Sequence, residues 1–450
     1  MATTALYRTL GTPTLGTKFT LSVWLKRSNP RSGSYEYIMS FDQGNNPRMH
    51  IRFNDGSDCL TWYTRDASGN NTQLDTSRLF RDVNAWYHLV FAYDSTQATA
   101  SNRQKIYVNG VQETSFSSPT YVAQNYVAPL NTNGYLCKIS SYGDANYSHQ
   151  FSGLMSHFHF IDGTAYNAST FGSQDATTGE WKINTNPTMT MGNNGFTILK
   201  DGNTITDQSA NSNNWTLGSG TLTKTEDCPS NVFATLNRLE PMGSNVSFEN
   251  GNASFKCSNS SFRMFKSTLG MSSGKFYWEF KPTVDKGGDF AQIGILDAET
   301  FDPDDYIGNE TYGYAYMFDG RKNVPAGASS YGDTWTTNDI ISVALDMDNR
   351  KLYFAKNGAW QNSGVPTSGS TGTGAISVSA TPSTFMVAGS IYEGSGGAPI
   401  YQYNFGNGFF GTTAVSSNSG NGYSATGSLG IFQYQPPTGY TALCTKGLNL

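Results

Sequence analysis

Apolar residues recur at every second position over much of the chain, the spacing that turns one side of a strand toward a core and the other toward water. Phe19, Leu21, Val23 and Leu25 do this in one run, and shorter runs follow at 37–41, 50–53 and 60–63, each closed by a turn-forming cluster. Twice a run passes through an acidic turn into a second strand that ends in Asn-Gly, at 86–110 and at 339–358. In the second copy Ile341, Val343, Leu345 and Met347 alternate, Asp348-Asn349 turns the chain, and Leu352 and Phe354 resume the period. Asn and Gly adopt positive φ with little strain, so Asn109-Gly110 and Asn357-Gly358 predict tight hairpin turns. Helical periodicity with caps is missing apart from short turns near 166–171 and 229–239. The pattern predicts an all-β chain, and 450 residues are too many for one β core. Two antiparallel β-sandwiches in tandem follow.

Composition agrees. The 48 glycines, with abundant Asn and Ser, supply turns, while the 14% aromatic content suits half-buried pleated surfaces. Formal net charge is −5 and no Lys/Arg cluster interleaves with aromatics, so a nucleic-acid partner is not expected. No apolar run approaches a membrane span, and the first residues lack the basic start and apolar core of a secretory signal, which predicts synthesis in a cytosol without membrane insertion. Five scattered cysteines without a CxxC pair argue against a disulfide framework or a thiolate zinc site.

The strands group into a first sandwich at 1–171, an ordered connector with short strands at 172–245, a second sandwich at 246–411 and a C-terminal extension at 412–450. Trp181, Phe196, Ile198, Leu199 and Trp215 make the connector too apolar for a free linker. The pieces FTLSVWLKRS, WYHLVFAYD…IYVNG and FSGLMSHFHFIDGTAY resemble the laminin-G-like, concanavalin A-like jelly rolls. In the second half SGKFYWEF, QIGIL, YGYAY, GDTWTTNDIISVALDMDNRKLYFAKNG and YQYNFG stand in the order of a SPRY domain, which resembles the same sandwich class. The stretch 432–446 and the join 228–237 resemble segments of virion-associated SPRY proteins of marine tailed phages.

Candidate chemistry is sparse. Retaining glycoside hydrolysis needs two carboxylates about 5 Å apart, and no E-x-D-x-x-E strand is present. The nearest approach, Asp297 with Glu299, falls where the SPRY resemblance places a loop. His157 and His159 share a strand face and could ligate a metal, or could form the polar face opposite Phe158 and Phe160. His88, between aromatic residues, reads as a packed strand residue. No G-x-S-x-G nucleophile motif occurs, so no catalytic residue is assigned. Calcium suits the sandwich class better than zinc: Asp302, Asp304 and Asp305 are candidate donors in the second half, and Asp42, Asp55 and Asp58 in the first, with solvated loop acids as the competing reading. Loop aromatics can stack on sugars or side chains at small entropic cost, which makes Tyr306, Tyr312, Trp335 and Trp360 candidate ligand-binding residues; Trp24, Trp86, Trp278 and Phe280 are assigned to packing.

An Asn-, Thr- and Tyr-rich adhesive surface without an export signal fits a virion protein, assembled in the host cytoplasm and exposed on the particle. The resemblance thus implies a non-enzymatic tail fibre, spike or tail-associated adhesion protein. Its partners would be other virion proteins and a host-surface glycan or protein receptor, and its state a homo-oligomer, with a trimer common among such appendages. Capsid decoration, a lectin-like glycan binder and, more remotely, a polysaccharide hydrolase are the alternatives.

Overall fold

A computed structural model describes residues 3–30, 33–42, 46–143, 146–200, 202–240, 245–258, 261–284, 291–392, 398–415 and 423–450, with the side chain of Asp42 excepted. The chain divides into two units, Met1–Lys224 and Thr225–Leu450. Both are built from antiparallel sheets, as the period-two pattern requires.

In unit 1, among the described residues, one sheet runs Phe116–Ser117, Asn71–Leu79, Cys59–Arg65, Arg48–Phe53, Glu36–Asp42, Leu136–Ile139, Ala5–Thr9, Thr216–Ser219. The other runs Phe196–Ile198, Gly153–Asp162, Lys18–Arg27, Trp86–Asp94, Gln104–Val108, Val111–Gln112. The alternating residues Phe19, Leu21, Val23 and Leu25 enter a core shared with Ile51, Trp62, Phe91 and Phe160. Burying each such side chain contributes about 2–3 kcal/mol.

The core admits a charged cluster. Arg27 donates to Glu36 Oε2 through Nε and Nη2 at 3.0 and 2.7 Å, and its Nη1 reaches Asp58 Oδ1 at 3.1 Å and the Phe80 carbonyl at 2.6 Å. Its guanidinium lies 4.2 Å from the Phe53 ring centroid. Arg81 closes the group on Asp58 Oδ2 at 3.1 Å.

The FIDGTAY segment has a different centre. Asp162, 1% exposed, accepts from Thr14 N at 2.6 Å, Asn194 N at 3.1 Å, Leu15 N at 3.2 Å and Asn131 Nδ2 at 2.6 Å. Four N–H groups from three remote segments thus supply what water would otherwise give a buried carboxylate.

Unit 2 repeats the plan with other residues. Among the described residues one sheet orders Val246–Glu249, Ser254–Cys257, Ile400–Asn404, Lys275–Val284, Ile341–Asp346, Lys351–Lys356, Ala359–Trp360. Its partner orders Arg263–Met271, Phe385–Ile391, Gln292–Asp297, Tyr314–Met317, Arg321–Val324, Gly327–Ser330. Phe276, Trp278 and Phe280 point into the core between the sheets, while Tyr277 packs on the opposite face with Phe432 and Tyr440.

The two Asn-Gly turns are alike in detail. Asn109 and Gly110 have φ of 47° and 83°, Asn357 and Gly358 of 48° and 85°. Each pair is the two-residue loop of a hairpin, with Val108 opposite Val111 and Lys356 opposite Ala359. The Asn side chain then accepts from the backbone N–H that opens the preceding hairpin, His88 N or Ile340 N, at 2.8 Å in both. A Cβ on Gly110 would also clash with the Trp181 ring, so glycine is required there twice over.

The stretch 172–245, expected to be a connector, is divided between the units. Phe196, Ile198, Leu199 and Trp215 lie in the core of unit 1, and Thr216–Ser219 extends its first sheet. Residues 228–237 belong to unit 2 and meet the C-terminal extension: Phe233 bridges Cys444, Ala234 N donates to Leu443 O at 2.9 Å and Thr445 N to Val232 O at 2.9 Å.

Replacing Asp162 by Asn turns an NH2 against backbone N–H groups and leaves a donor unsatisfied. Asp162→Asn is expected to lower the stability of unit 1 by about 2–4 kcal/mol. Denaturant unfolding checks this, with the transition of unit 2 unchanged.

Candidate functional site

The four aromatic residues expected at a binding surface are not brought together: among the described residues no ring contact joins any two of them. Trp335 is a correction. It is 2% exposed and packs edge-on against Phe280 at 5.4 Å, because its segment folds back over the end of the sandwich rather than standing out as a loop. Tyr306 is half-buried against Phe262 at 4.9 Å, Tyr312 is half-buried on the core, and Trp360 is half-buried beside Tyr353 at 6.5 Å.

The candidate calcium donors have other engagements. Asp304 pairs with Arg263, Asp302 Oδ1 accepts from Asp304 N at 2.9 Å, and Asp305 accepts from Tyr306 N at 2.7 Å and Asn309 Nδ2 at 2.5 Å. In unit 1 Asp58 is held by two arginines, Asp55 is exposed, and the side chain of Asp42 lies outside the description. Among the described residues no three His, Cys, Asp or Glu side chains form a cluster that could hold a metal. Asp297 ends a strand, buried, with Oδ2 accepting from Thr300 N at 3.0 Å, whereas Glu299 is exposed, so the two do not face one another across a common opening.

Three groups with displaced proton affinity, His88, His159 and Glu279, are sealed. Burial pushes His88 and His159 down to about 3. Trp181 Nε1 can only donate, so His88 Nδ1 accepts its bond at 2.9 Å and Nε2 carries the proton toward Ser22 Oγ at 2.9 Å. His159 Nδ1 meets Thr197 Oγ1 at 2.8 Å, and Phe171 stacks on its ring. The face expected to be metal-binding or polar is therefore covered at His159 and His88 by the segment carrying Phe171 and Trp181. A bulge at His157, with φ of 49°, interrupts the simple alternation there.

In unit 2 burial raises Glu279 to about 7. It is fully buried and accepts from Gln433 N at 2.9 Å, Tyr434 N at 2.8 Å, Asn404 Nδ2 at 3.1 Å and Tyr277 Oη at 3.1 Å. A proton affinity suited to acid–base work is here enclosed by the C-terminal extension, where no substrate reaches it.

A polar and aromatic face of unit 1, half-buried at Tyr35, Arg52 and Tyr63, was not singled out in the sequence. Tyr37 and Arg52 are register partners, as are Ser40 and His50, His50 and Tyr63, and Arg52 and Thr61. All face away from the core, because Met39, Ile51 and Trp62 between them face inward. The Arg52 guanidinium lies 4.1 Å from the Tyr35 centroid, 5.5 Å from Tyr37 and 5.7 Å from Tyr63, and donates to Tyr37 Oη at 2.9 Å. His50 is buried beneath Tyr37, Tyr63 and Tyr142 at 5.2–5.6 Å. The polar phase of the strands at 37–41, 50–53 and 60–63 carried this signal, since it holds Tyr and Arg rather than Ser and Thr alone.

Two outcomes follow. Trp335→Ala is expected to cost unit 2 about 3–5 kcal/mol in denaturant unfolding, as for a core aromatic, while Trp360→Ala costs far less. The pH responses of the units have opposite sign. His88 and His159 bind fewer protons folded than unfolded between about pH 3 and 6.5, so their contribution to unit 1 is lost as pH falls. Glu279 binds more protons folded between about pH 4.5 and 7, so unit 2 loses about 3 kcal/mol as pH rises through that range. Calorimetry from pH 4 to 8 checks this, with the slope of unit 2 abolished in Glu279→Gln.

Comparison with known proteins fits this geometry. Residues 3–169 match the concanavalin A-like lectin/glucanases superfamily, and residues 275–382 match the SPRY domain. A curated relative, the ATP-dependent RNA helicase DDX1 of Xenopus laevis, is 30% identical over 93 residues, 21% of this chain, and the match spans only 12% of that protein. Among solved structures, the SPRY domain of human HERC1 is 17% identical with a TM-score of 0.29, covering 35% of this chain and 91% of that domain. A second human SPRY domain is 13% identical with a TM-score of 0.26, covering 36% and 94%. The chain thus carries a laminin-G-type, concanavalin A-like domain followed by a SPRY domain.

Proposed function

We propose that the protein is a non-enzymatic adhesion protein on the surface of a tailed phage particle, associated with the tail and directed at a host-surface glycan or protein. The observation that carries the binding role is the contrast between interior and surface. Glu279, His88 and His159, whose proton affinities burial displaces, are sealed, while the outward face of unit 1 presents half-buried Tyr35, Tyr63 and Arg52. Recognition by rings and a guanidinium requires no proton transfer. Support for the particle comes from the segments 228–237 and 432–446, which resemble virion SPRY proteins and contact each other through the Phe233–Cys444 bridge. A paired segment of this kind belongs to one structural module.

The protein is expected in purified particles by mass spectrometry, with antibody label on the tail, and absence from particles overturns the reading. Host envelope glycans incubated with the protein are expected to release no new reducing ends.

A further inference from the structure

We infer that the hairpin formed by Gly172–Gln174 and Trp181–Ile183 is a flap that acid releases: Trp181 latches it onto His88, and protonation of His88 opens it while the sandwich beneath stays folded. The hairpin is built to move as one piece. Its bonds are internal, with Gln174 opposite Trp181, Asp175 paired with Lys182 at 2.6 Å and Asp175 N donating to Glu180 O at 2.7 Å. Its neck is closed by Asn184 N donating to Phe171 O at 2.9 Å. Beyond that neck, among the described residues, Trp181 makes the hydrogen bond that ties the hairpin to the sheet, and residues 173, 174 and 176–180 are exposed. Glycines at 110 and 172 leave room for the indole, since a Cβ on either would clash with it.

The latch has a polarity that only neutral His88 meets. Trp181 Nε1–H donates to His88 Nδ1 at 2.9 Å, with the ring planes 15° apart, and His88 Nε2–H points to Ser22 Oγ at 2.9 Å. A proton on Nδ1 would set two N–H donors head to head. Trp24, stacked on His88 at 4.8 Å, offers an imidazolium a π face but no acceptor for that proton. The titratable groups on this face are His157 and His159 of Gly153–Asp162, Lys26 of Lys18–Arg27 and Tyr107 of Gln104–Val108, with no carboxylate among them. His157 opposes the added charge. On the hairpin itself Asp175 is paired with Lys182, and Glu180 is exposed. With the flap open His88 titrates near its ordinary 6.5, and with it closed burial holds His88 at about 3, so docking is complete above pH 6.5 and is lost as pH falls toward 3. Local opening relieves the misfit by giving up the contacts of half-buried Trp181 and Ile183, whereas global unfolding gives up the whole core. An undocked two-stranded hairpin keeps little structure of its own.

Hydrogen exchange of the full chain, followed by mass spectrometry from about pH 6.5 to about pH 3.5 and corrected for intrinsic rates, tests this. Protection of residues 172–183 is expected to fall about tenfold or more over that range while 86–94 stays protected. His88→Gln keeps an acceptor for Trp181 and a donor for Ser22 but cannot titrate, and its flap is expected to stay protected throughout. Trp181→Ala is expected to leave the flap unprotected at every pH with 86–94 unaffected. Equal acid loss in wild type and His88→Gln overturns the assignment, as does a wild-type flap that stays protected to the acid end of the range. So does loss in 86–94 at the same pH as in the flap, which would mean unfolding of the sandwich, or a flap that remains protected in Trp181→Ala.

Discussion

A carboxylate taken out of water must have its lone pairs met by donors, and both units are organised around that demand. Asp162 and Glu279 lie at equivalent depth, each with four hydrogen-bond donors and no cation within the set. Apart from Tyr277, the donors come from segments far apart in sequence, so each carboxylate fixes the relative positions of pieces that hydrophobic packing alone would leave free to slide. Hydrophobic burial is non-directional, and N–H donors aimed at one oxygen are directional. The arrangement differs from the Arg27 cluster, where opposite charges compensate each other and geometry is shared among four side chains.

Much of the fold was legible because its cause is local. Phe19, Leu21, Val23 and Leu25 alternate and all reach the core, and the two Asn-Gly pairs adopt the conformations their chemistry favours. What could not be read depends on which remote segment covers a face. Trp335 lies in a stretch with turn-like neighbours, and nothing local distinguishes a loop that stands out from one that folds back. His159 alternates with phenylalanines as a solvent-facing residue would, yet Phe171 and Trp181 close over its face. The Tyr35–Arg52 surface escaped notice for the converse reason: its residues lie in the polar phase of three separate strands, and only register brings them side by side.

Interior and surface therefore divide the polar chemistry between them. Inside, Asp162, Glu279, His88 and the Arg27 cluster are held by hydrogen bonds within the fold. Outside, the half-buried rings of Tyr35 and Tyr63 and the Arg52 guanidinium are held at fixed positions against a sheet.

The way each unit closes has an evolutionary consequence. In unit 1 the strand Ala5–Thr9 pairs with Thr216–Ser219, and in unit 2 residues 232–234 pair with 443–445. Each unit therefore brings its own beginning and end to one place. A genetic exchange that transfers either unit whole would cut no sheet, and the recipient chain would need only a gap narrow enough for two adjacent strand ends. Such units are suited to exchange as complete modules.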